Sequence, residues 1–311
     1  MLKYDNNSGA KPFLKWAGGK TQLLKTIEDR LPSEIKKTHK INKYFEVFVG
    51  GGALFFHLMN NYEVKESYIY DINKELILTY NVIKKSPDEL IELLSILQDE
   101  YVPLEQDDRK EYYLKIRSSF NLDLKDFDYD NYSDEHITRA SQIIFMNKTC
   151  FNGLFRLNRK GKFNVPHGRY KNPLICDNKN IKAVSKTLKR THIINANYDD
   201  SEYLIGDDSL VYLDPPYRPL SNKSNFTTYA GFEFTDEHQE KLADFYKRIT
   251  DKGAKAILSN SDPKNEDPND NFFDDLYDYE GVTIERVEAK RSINSNAKKR
   301  GKINEILVRN Y

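Results

Sequence analysis

Asp214-Pro215-Pro216-Tyr217 closes the apolar run from Leu210 to Leu213, and its residue types suit work on an amino group attached to an aromatic ring. Such a nitrogen is a weak nucleophile, because its lone pair is delocalised into the ring. The Asp214 carboxylate and the Pro215 carbonyl can each accept one N–H bond, which favours the pyramidal geometry that attacks a methyl sulfonium. Pro215 and Pro216 fix φ and remove two backbone donors, leaving carbonyls to accept just past a strand end. Tyr217 adds a ring that can stack on an extruded base. A structural Pro-Pro turn with an incidental acid explains the same tetrapeptide taken alone.

Two other strings have the makings of a ligand site. Phe48-Val49-Gly50-Gly51-Gly52 follows one strand pattern and opens a helical one, where a nucleotide-type ligand approaches the backbone of an open α/β sheet. Phe55 stands where G-x-G-x-x-G needs its last glycine, so the dinucleotide fingerprint is incomplete. A structural glycine turn accounts for Gly50 and Gly52 nearly as well. Asp71, at the end of the next strand pattern, can accept from ribose hydroxyls or cap the helix that follows. Ala17-Gly18-Gly19-Lys20-Thr21 is not a phosphate loop, because Leu14 occupies the first required glycine. Trp16 and Lys20 flank its two glycines and could contact an adenine ring and a carboxylate; a core tryptophan and a surface lysine are the plainer reading.

The elements that must position these residues follow from periodicity. Tyr44 to Phe48 and Ser67 to Tyr70 read as strands around a helix from Ala53 to Asn60. From Asn73 to about Asn147 the pattern is helical, with apolar spacing at Leu76, Ile77, Tyr80 and Ile83 and again at Leu90, Leu93, Leu94 and Leu97. Ser133-Asp134-Glu135 starts the last of these helices. Asn152 to Pro173 has turn chemistry throughout and reads as an ordered loop or hairpin. Strand patterns resume at His192 to Asn195, Leu210 to Leu213, Ala256 to Leu258, Val282 to Val287 and Ile303 to Val308, with a helix through Leu242, Phe245, Tyr246 and Ile249. The expectation is an open, largely parallel α/β sheet, residues 1–73 and 191–311, interrupted by a mostly helical second domain at 74–190.

Composition narrows the classes of function. The chain has 311 residues, 39% of them hydrophobic, enough for a substantial core. No signal-peptide-like or membrane-spanning run stands out, so the expected compartment is the cytoplasm. Cys150 and Cys176 make no metal or disulfide spacing, and no metal site is expected. The formal net charge of zero conceals segregation: Met146 to His192 holds twelve Lys/Arg against Asp177, while Asp262 to Glu280 holds eight acids against Lys264. A basic block interleaved with Phe151, Phe155, Phe163 and Tyr170 suits phosphate and base contact, or else is a solvated lysine-rich surface.

Taken together, these strings resemble the Dam-type DNA adenine methyltransferases, including the modification enzymes that accompany GATC-cutting nucleases. The likeness spans nearly the whole chain, in the order Lys11 to Lys20, Phe48 to Gly52, Tyr70-Asp71, the basic insert, then Asp214 to Tyr217. It implies a Rossmann-like S-adenosylmethionine-dependent sheet with an inserted target-recognition domain. By the same resemblance Trp16, Lys20, Phe48, Gly50, Gly52, Asp71 and Asp214 bind S-adenosylmethionine, and Asp214 to Tyr217 are catalytic. The insert is similar to the family's recognition region in Phe151 to Arg156 and in Phe163 to Pro173, which implies duplex GATC with adenine N6 as target. Arg156 suits the bidentate pair to guanine O6 and N7, with Asn152, Leu154 and Pro166 on the same surface. Arg169 and Lys171 suit phosphates, and Arg291 opens a segment similar to the family's C-terminal DNA-facing loop. His167 has no assigned role.

Extrusion of the target adenine and direct transfer to N6 are the expected mechanism. Cytosine N4 methylation uses a similar pocket, though Asp rather than Ser at the head of the motif favours adenine by family pattern. A noncatalytic DNA-binding protein of the same fold is the rival from another class, and the intact Asp214 and Gly50 strings speak against it. A cognate GATC restriction endonuclease acting separately, and hence host-DNA protection, fit the resemblance. A monomer suffices for the chemistry, and a palindromic target permits a weak homodimer.

Overall fold

Runs rich in β-branched and aromatic residues form the strands, and pairing decides how far each extends. The computed structural model describes residues 9–16, 18, 20–122, 127–158, 160–218, 228–229, 232–290 and 302–311. Within them lie β1 (Lys40–Glu46), β2 (Glu63–Asp71), β3 (Thr191–Asn195), β4 (Ser209–Leu213), the short antiparallel pair β5 (Thr228–Tyr229) and β6 (Phe232–Glu233), then β7 (Lys255–Ser261), β8 (Thr283–Lys290) and β9 (Lys302–Arg309). The main sheet has seven strands in the order β3-β2-β1-β4-β7-β9-β8. β1 pairs parallel with β2 and β4, and β4 parallel with β7. β9 runs antiparallel to both β7 and β8. This mixed, mainly parallel α/β sheet fits the Rossmann-like expectation.

All five residues of β4 are buried, as a parallel strand covered on both faces must be. β8 and β9 outrun the apolar stretches that announce them because their ladder extends from Thr283 opposite Arg309 to Lys290 opposite Lys302. The order reverses at β1, which has the next strand on one side and the later β4 on the other. Ligands of open α/β sheets bind past the carboxyl ends at such a switch, and Phe48 and Asp214 follow those two ends.

The chain divides into two compact units, one made of the described residues within 1–19, 50–60 and 71–195, the other of those within 20–49, 61–70 and 196–311. The second unit contains α1 (Leu24–Glu28) and α2 (Ser33–Thr38), which no sequence pattern announces. It is built on Tyr44, Phe45, Val211, Leu213 and Ile257, all buried. α3 (Ala53–Asn61) follows the glycine turn. The first unit is mainly helical, with α4 (Lys74–Lys85), α5 (Pro87–Tyr101), α6 (Gln106–Leu122), α7 (Asp134–Thr149) and α8 (Asn178–Leu188). Pro87 stands in the first turn of α5, where its missing N–H is harmless. Ser133 and His136 make a capping box at the start of α7.

A buried ion pair ties α4 to α7. Arg139 grips Glu75 with two guanidinium nitrogens, Nε at 2.8 Å, while Tyr129 Oη donates to Glu75 Oε1 at 2.6 Å. The guanidinium lies 4.2 Å from the Phe120 ring and 4.5 Å from that of Phe127. Both charges are almost wholly shielded from water, so each depends on the other. In the second unit, α9 (Asp236–Asp251) is capped by Thr235 and His238 and buries Leu242, Phe245, Tyr246 and Ile249, as its period requires. α10 (Phe272–Leu276) is a single short helix within the acidic stretch.

Candidate active site

In the second unit, β4 delivers Asp214 to the sheet edge and Pro215-Pro216 turn the chain away. Asp214 retains 17% side-chain exposure and Lys20 only 6%, and Lys20 Nζ lies 2.8 Å from Asp214 Oδ1. Ser259, at the end of the neighbouring β7, donates to the same oxygen at 3.0 Å. Its hydroxyl is in turn 3.0 Å from Tyr212 Oη. Both donors thus converge on Oδ1, leaving Oδ2 without a donor among the described residues. Burial pushes the Asp214 carboxyl above the usual carboxylate range, against the opposing pull of the Lys20 ammonium and of the two hydrogen bonds from Lys20 and Ser259. The group is an ionisable acceptor held in one orientation in a poorly solvated place.

Tyr217 is fixed from two directions. Lys20 Nζ lies 4.3 Å from the centre of its ring, and its hydroxyl donates to Glu305 Oε2 at 2.5 Å. Burial and the nearby carboxylates of Asp214 and Glu305 raise the Tyr217 hydroxyl well above its ordinary value. It stays protonated. Gln239 Nε2 donates to the Pro216 carbonyl at 3.1 Å, so among the described residues the acceptor engaged is that of Pro216 rather than Pro215. Phe48, just past β1, packs with Tyr198 at 5.3 Å and edge-on to Phe234 at 6.1 Å. Of the residues singled out by sequence in this unit, Lys20, Asp214 and Tyr217 meet directly, while Phe48 sits in an aromatic nest of its own.

In the first unit the glycine turn explains itself. Gly50 has φ +47° and Gly52 φ +68°, backbone that L side chains adopt only under strain. A Cβ on Gly50 would fall 2.7 Å from Trp16 Cδ1, and one on Gly52 2.6 Å from Tyr80 Oη. Gly50 N donates to Asp71 Oδ2 at 3.1 Å, and Tyr80 Oη donates to Gly50 O at 3.1 Å. Trp16, Gly50 and Asp71 therefore form one cluster. Asp71 is not the helix cap. Asn73 fills that role, accepting from Glu75 N and Leu76 N, while Asp71 Oδ1 accepts from Asn73 N at 2.9 Å. Asp71 is buried and organises the loop between β2 and α4.

The basic segment folds as the hairpin its turn residues suggest, with Leu157 bridged to Phe163 and Cys150 to His167. Asn152 adopts φ 59° and is exposed, as are Arg156, Pro166, Arg169 and Lys171; Leu154 is half-buried. Arg156 Nε donates to Asn164 Oδ1 at 3.0 Å. Trp16 stacks on Phe155 with ring centres 5.5 Å apart, so the cluster at Gly50 and the hairpin share an aromatic contact. His167 is a structural residue: Nε2 meets Tyr101 Oη at 2.6 Å, and burial, then Arg169, lowers its pKa, which keeps the ring neutral. Arg291 and the residues to Arg300 lie outside the described residues. Among the described residues no cluster suits a metal ion and no helix is long and apolar enough to cross a membrane.

Sequence reasoning gave no individual role to Glu305 or Asn164, and Ser259 falls one residue past the strand pattern at Ala256 to Leu258. Strand alternation on β9 was a signal for an inward or outward side chain at 305, but nothing local pairs it with Tyr217.

Residues 16–293 match the D12 class of N6 adenine-specific DNA methyltransferases. The chain belongs to this family and is an adenine-specific DNA methyltransferase. It is 48% identical over 302 residues to a Type II methyltransferase, M.MjaIII, of Methanocaldococcus jannaschii, covering 97% of this chain and 99% of the relative. A Lactococcus lactis Type II methyltransferase, M1.LlaDCHI, is 39% identical over 100% of this chain and 99% of its own length. The DNA adenine methylase of Escherichia coli is 33% identical, over 96% and 94%. Family membership brings a methyl donor and a DNA substrate.

Proposed function

We propose that the protein transfers the methyl of S-adenosylmethionine to adenine N6 within GATC in duplex DNA, after the adenine has swung out of the helix. The observation that carries this reading is the convergence of Lys20 and Ser259 on one oxygen of Asp214, which leaves the other oriented to accept. Oδ2 of Asp214 accepts one N–H of the adenine amino group and the Pro215 carbonyl accepts the second, so the nitrogen lone pair is freed from the ring. N6 would take the methyl that S-adenosylmethionine supplies, and the proton that N6 then sheds would pass through Asp214 to water. Tyr217, locked by Glu305 with Lys20 on one face, stacks on the base with the other. Extrusion costs on the order of a few kcal/mol, which this stacking and the two hydrogen bonds offset.

The residues present suit S-adenosylmethionine, which supplies an electrophilic methyl. In the first unit, the turn at Gly50 and Gly52 is kept free of Cβ atoms, next to the Trp16 ring and a buried carboxylate at Asp71 that suits ribose hydroxyls. In the second, Lys20 and Phe48 offer a cation and an aromatic edge. Residues 74–190 serve as the target-recognition domain, with Arg156 reading guanine, Asn152, Leu154 and Pro166 beside it, and Arg169, Lys171 and Arg291 on phosphates. Protection of host DNA alongside a separate GATC-cutting endonuclease is the role in keeping with the Type II names of the two relatives above.

The test is transfer of labelled methyl from S-adenosylmethionine to duplexes carrying GATC or a scrambled control, with nucleoside analysis. N6-methyladenine restricted to GATC is expected, with Asp214→Ala losing all transfer while still binding DNA. Methyladenine at a different sequence would overturn the site, and an active Asp214→Ala protein would overturn the chemistry.

A further inference from the structure

α6 carries Arg109, Tyr113, Arg117 and Asn121 at a strict four-residue spacing, which aligns them on one stripe of the helix. All four reach the main chain of the segment from Phe163 to Lys171. Asn121 uses both ends of its amide, accepting from Phe163 N at 2.8 Å and donating to Phe163 O at 3.0 Å. Tyr113 Oη and Arg117 Nη1 both donate to Val165 O, at 2.7 and 3.1 Å. Arg109 Nη1 donates to Tyr170 O at 3.0 Å and Lys171 O at 2.8 Å. Helix and segment run antiparallel, so the contacts step along both in register. Tyr113 is wholly buried and Arg109 nearly so, so each would be penalised if its partner carbonyl moved away.

This ladder has a local consequence for the DNA-reading side chain. Phe163 and Val165 point inward, while Asn164 and Pro166 are exposed. Asn164 is thus anchored by main-chain contacts on both sides. Its Oδ1 accepts from Arg156 Nε at 3.0 Å, and its N–H reaches Arg156 O at 3.4 Å. With Nε held, the two terminal nitrogens of Arg156 are the pair that an end-on bidentate contact to guanine uses.

We propose that α6 is a main-chain template for the recognition hairpin and that Asn121 and Asn164 are specificity-positioning residues that aim Arg156. Neither touches DNA in this scheme; each sets where the guanidinium points. The inference rests on Arg156 reading a base, and the experiment separates the two ideas. Methylation is mapped across a pool of duplexes randomised around the adenine, for the unaltered protein and for Arg156→Ala, Asn164→Ala, Asn164→Asp and Asn121→Ala, with cofactor affinity and thermal midpoint measured alongside. Arg156→Ala should erase preference at one base-pair position. Asn164→Ala and Asn121→Ala should weaken preference at that same position by about tenfold, within the range a lost bidentate contact gives. Asn164→Asp keeps the acceptor for Nε, so its preference should survive even where added negative charge weakens DNA binding at every sequence; a merely structural role would not produce this split. Because Asn164 is exposed, its variants test the relay even if Asn121→Ala unfolds. Retained preference in Asn164→Ala, with loss in Arg156→Ala, would refute the relay and leave the base-reading role standing. Unchanged preference in Arg156→Ala would bring down both.

Discussion

Ser259→Ala isolates what the environment of Asp214 contributes. Ser259 is fully buried and gives its proton to Asp214 Oδ1 at 3.0 Å, so Tyr212 must be the donor in the 3.0 Å contact between the two hydroxyls. The substitution removes a hydrogen bond to a charged group, worth about 1.5–3 kcal/mol, and strands the buried Tyr212 hydroxyl. If that energy is realised in the transition state, the rate falls by roughly ten- to a hundredfold at neutral pH. The pH dependence has a definite sign. Burial already holds the Asp214 carboxyl above the usual range, and Ser259 is one of the groups pulling it down. Without that hydroxyl the carboxyl protonates at a higher pH, so activity is lost earlier on the acid side. Single-turnover methyl transfer with saturating cofactor and DNA, measured from about pH 5 to pH 9, reads both effects. A folded Ser259→Ala protein with an unaltered rate and an unmoved acid limb would refute the claim that an oriented, ionised Asp214 acts on the amino group.

Two further perturbations probe the first unit. Gly50→Ala places a Cβ against Trp16 and forces a left-handed φ onto alanine, a strain of about 1–2 kcal/mol. Cofactor affinity by equilibrium dialysis should drop on the order of tenfold, and an unchanged affinity would remove Gly50 from the cofactor site. Arg139→Met leaves the buried Glu75 with Tyr129 but without its cation, which should lower unfolding stability by about 3–5 kcal/mol, with much of the loss restored by adding Glu75→Leu. Denaturant titration checks both, and an unmoved midpoint in Arg139→Met would show that the pair is not coupled as its geometry indicates.

Much of this protein was legible one segment at a time. The α/β class follows from apolar runs that alternate with helical periods, and the succession of helices α4 to α7 from the long stretch after Asn73 that lacks strand patterns. Asp214 to Tyr217 and Gly50 to Gly52 could be singled out because each is a chemical type at a definite place, a strand end. These are properties of short windows, so sequence alone determined them. What sequence left open was every choice between equivalent neighbours. Asp71 and Asn73 are both good helix caps two residues apart, and only the backbone at Asn73, extended with its side chain over Glu75 and Leu76, decides between them. Ser259 reaches Asp214 because β4 and β7 are adjacent in the sheet, a pairing that no local pattern specifies. The four-residue spacing on α6 was visible too, but its partners are backbone amides and carbonyls of a distant segment. Those groups are the same at every residue, so the tertiary structure alone could show which of them the helix holds.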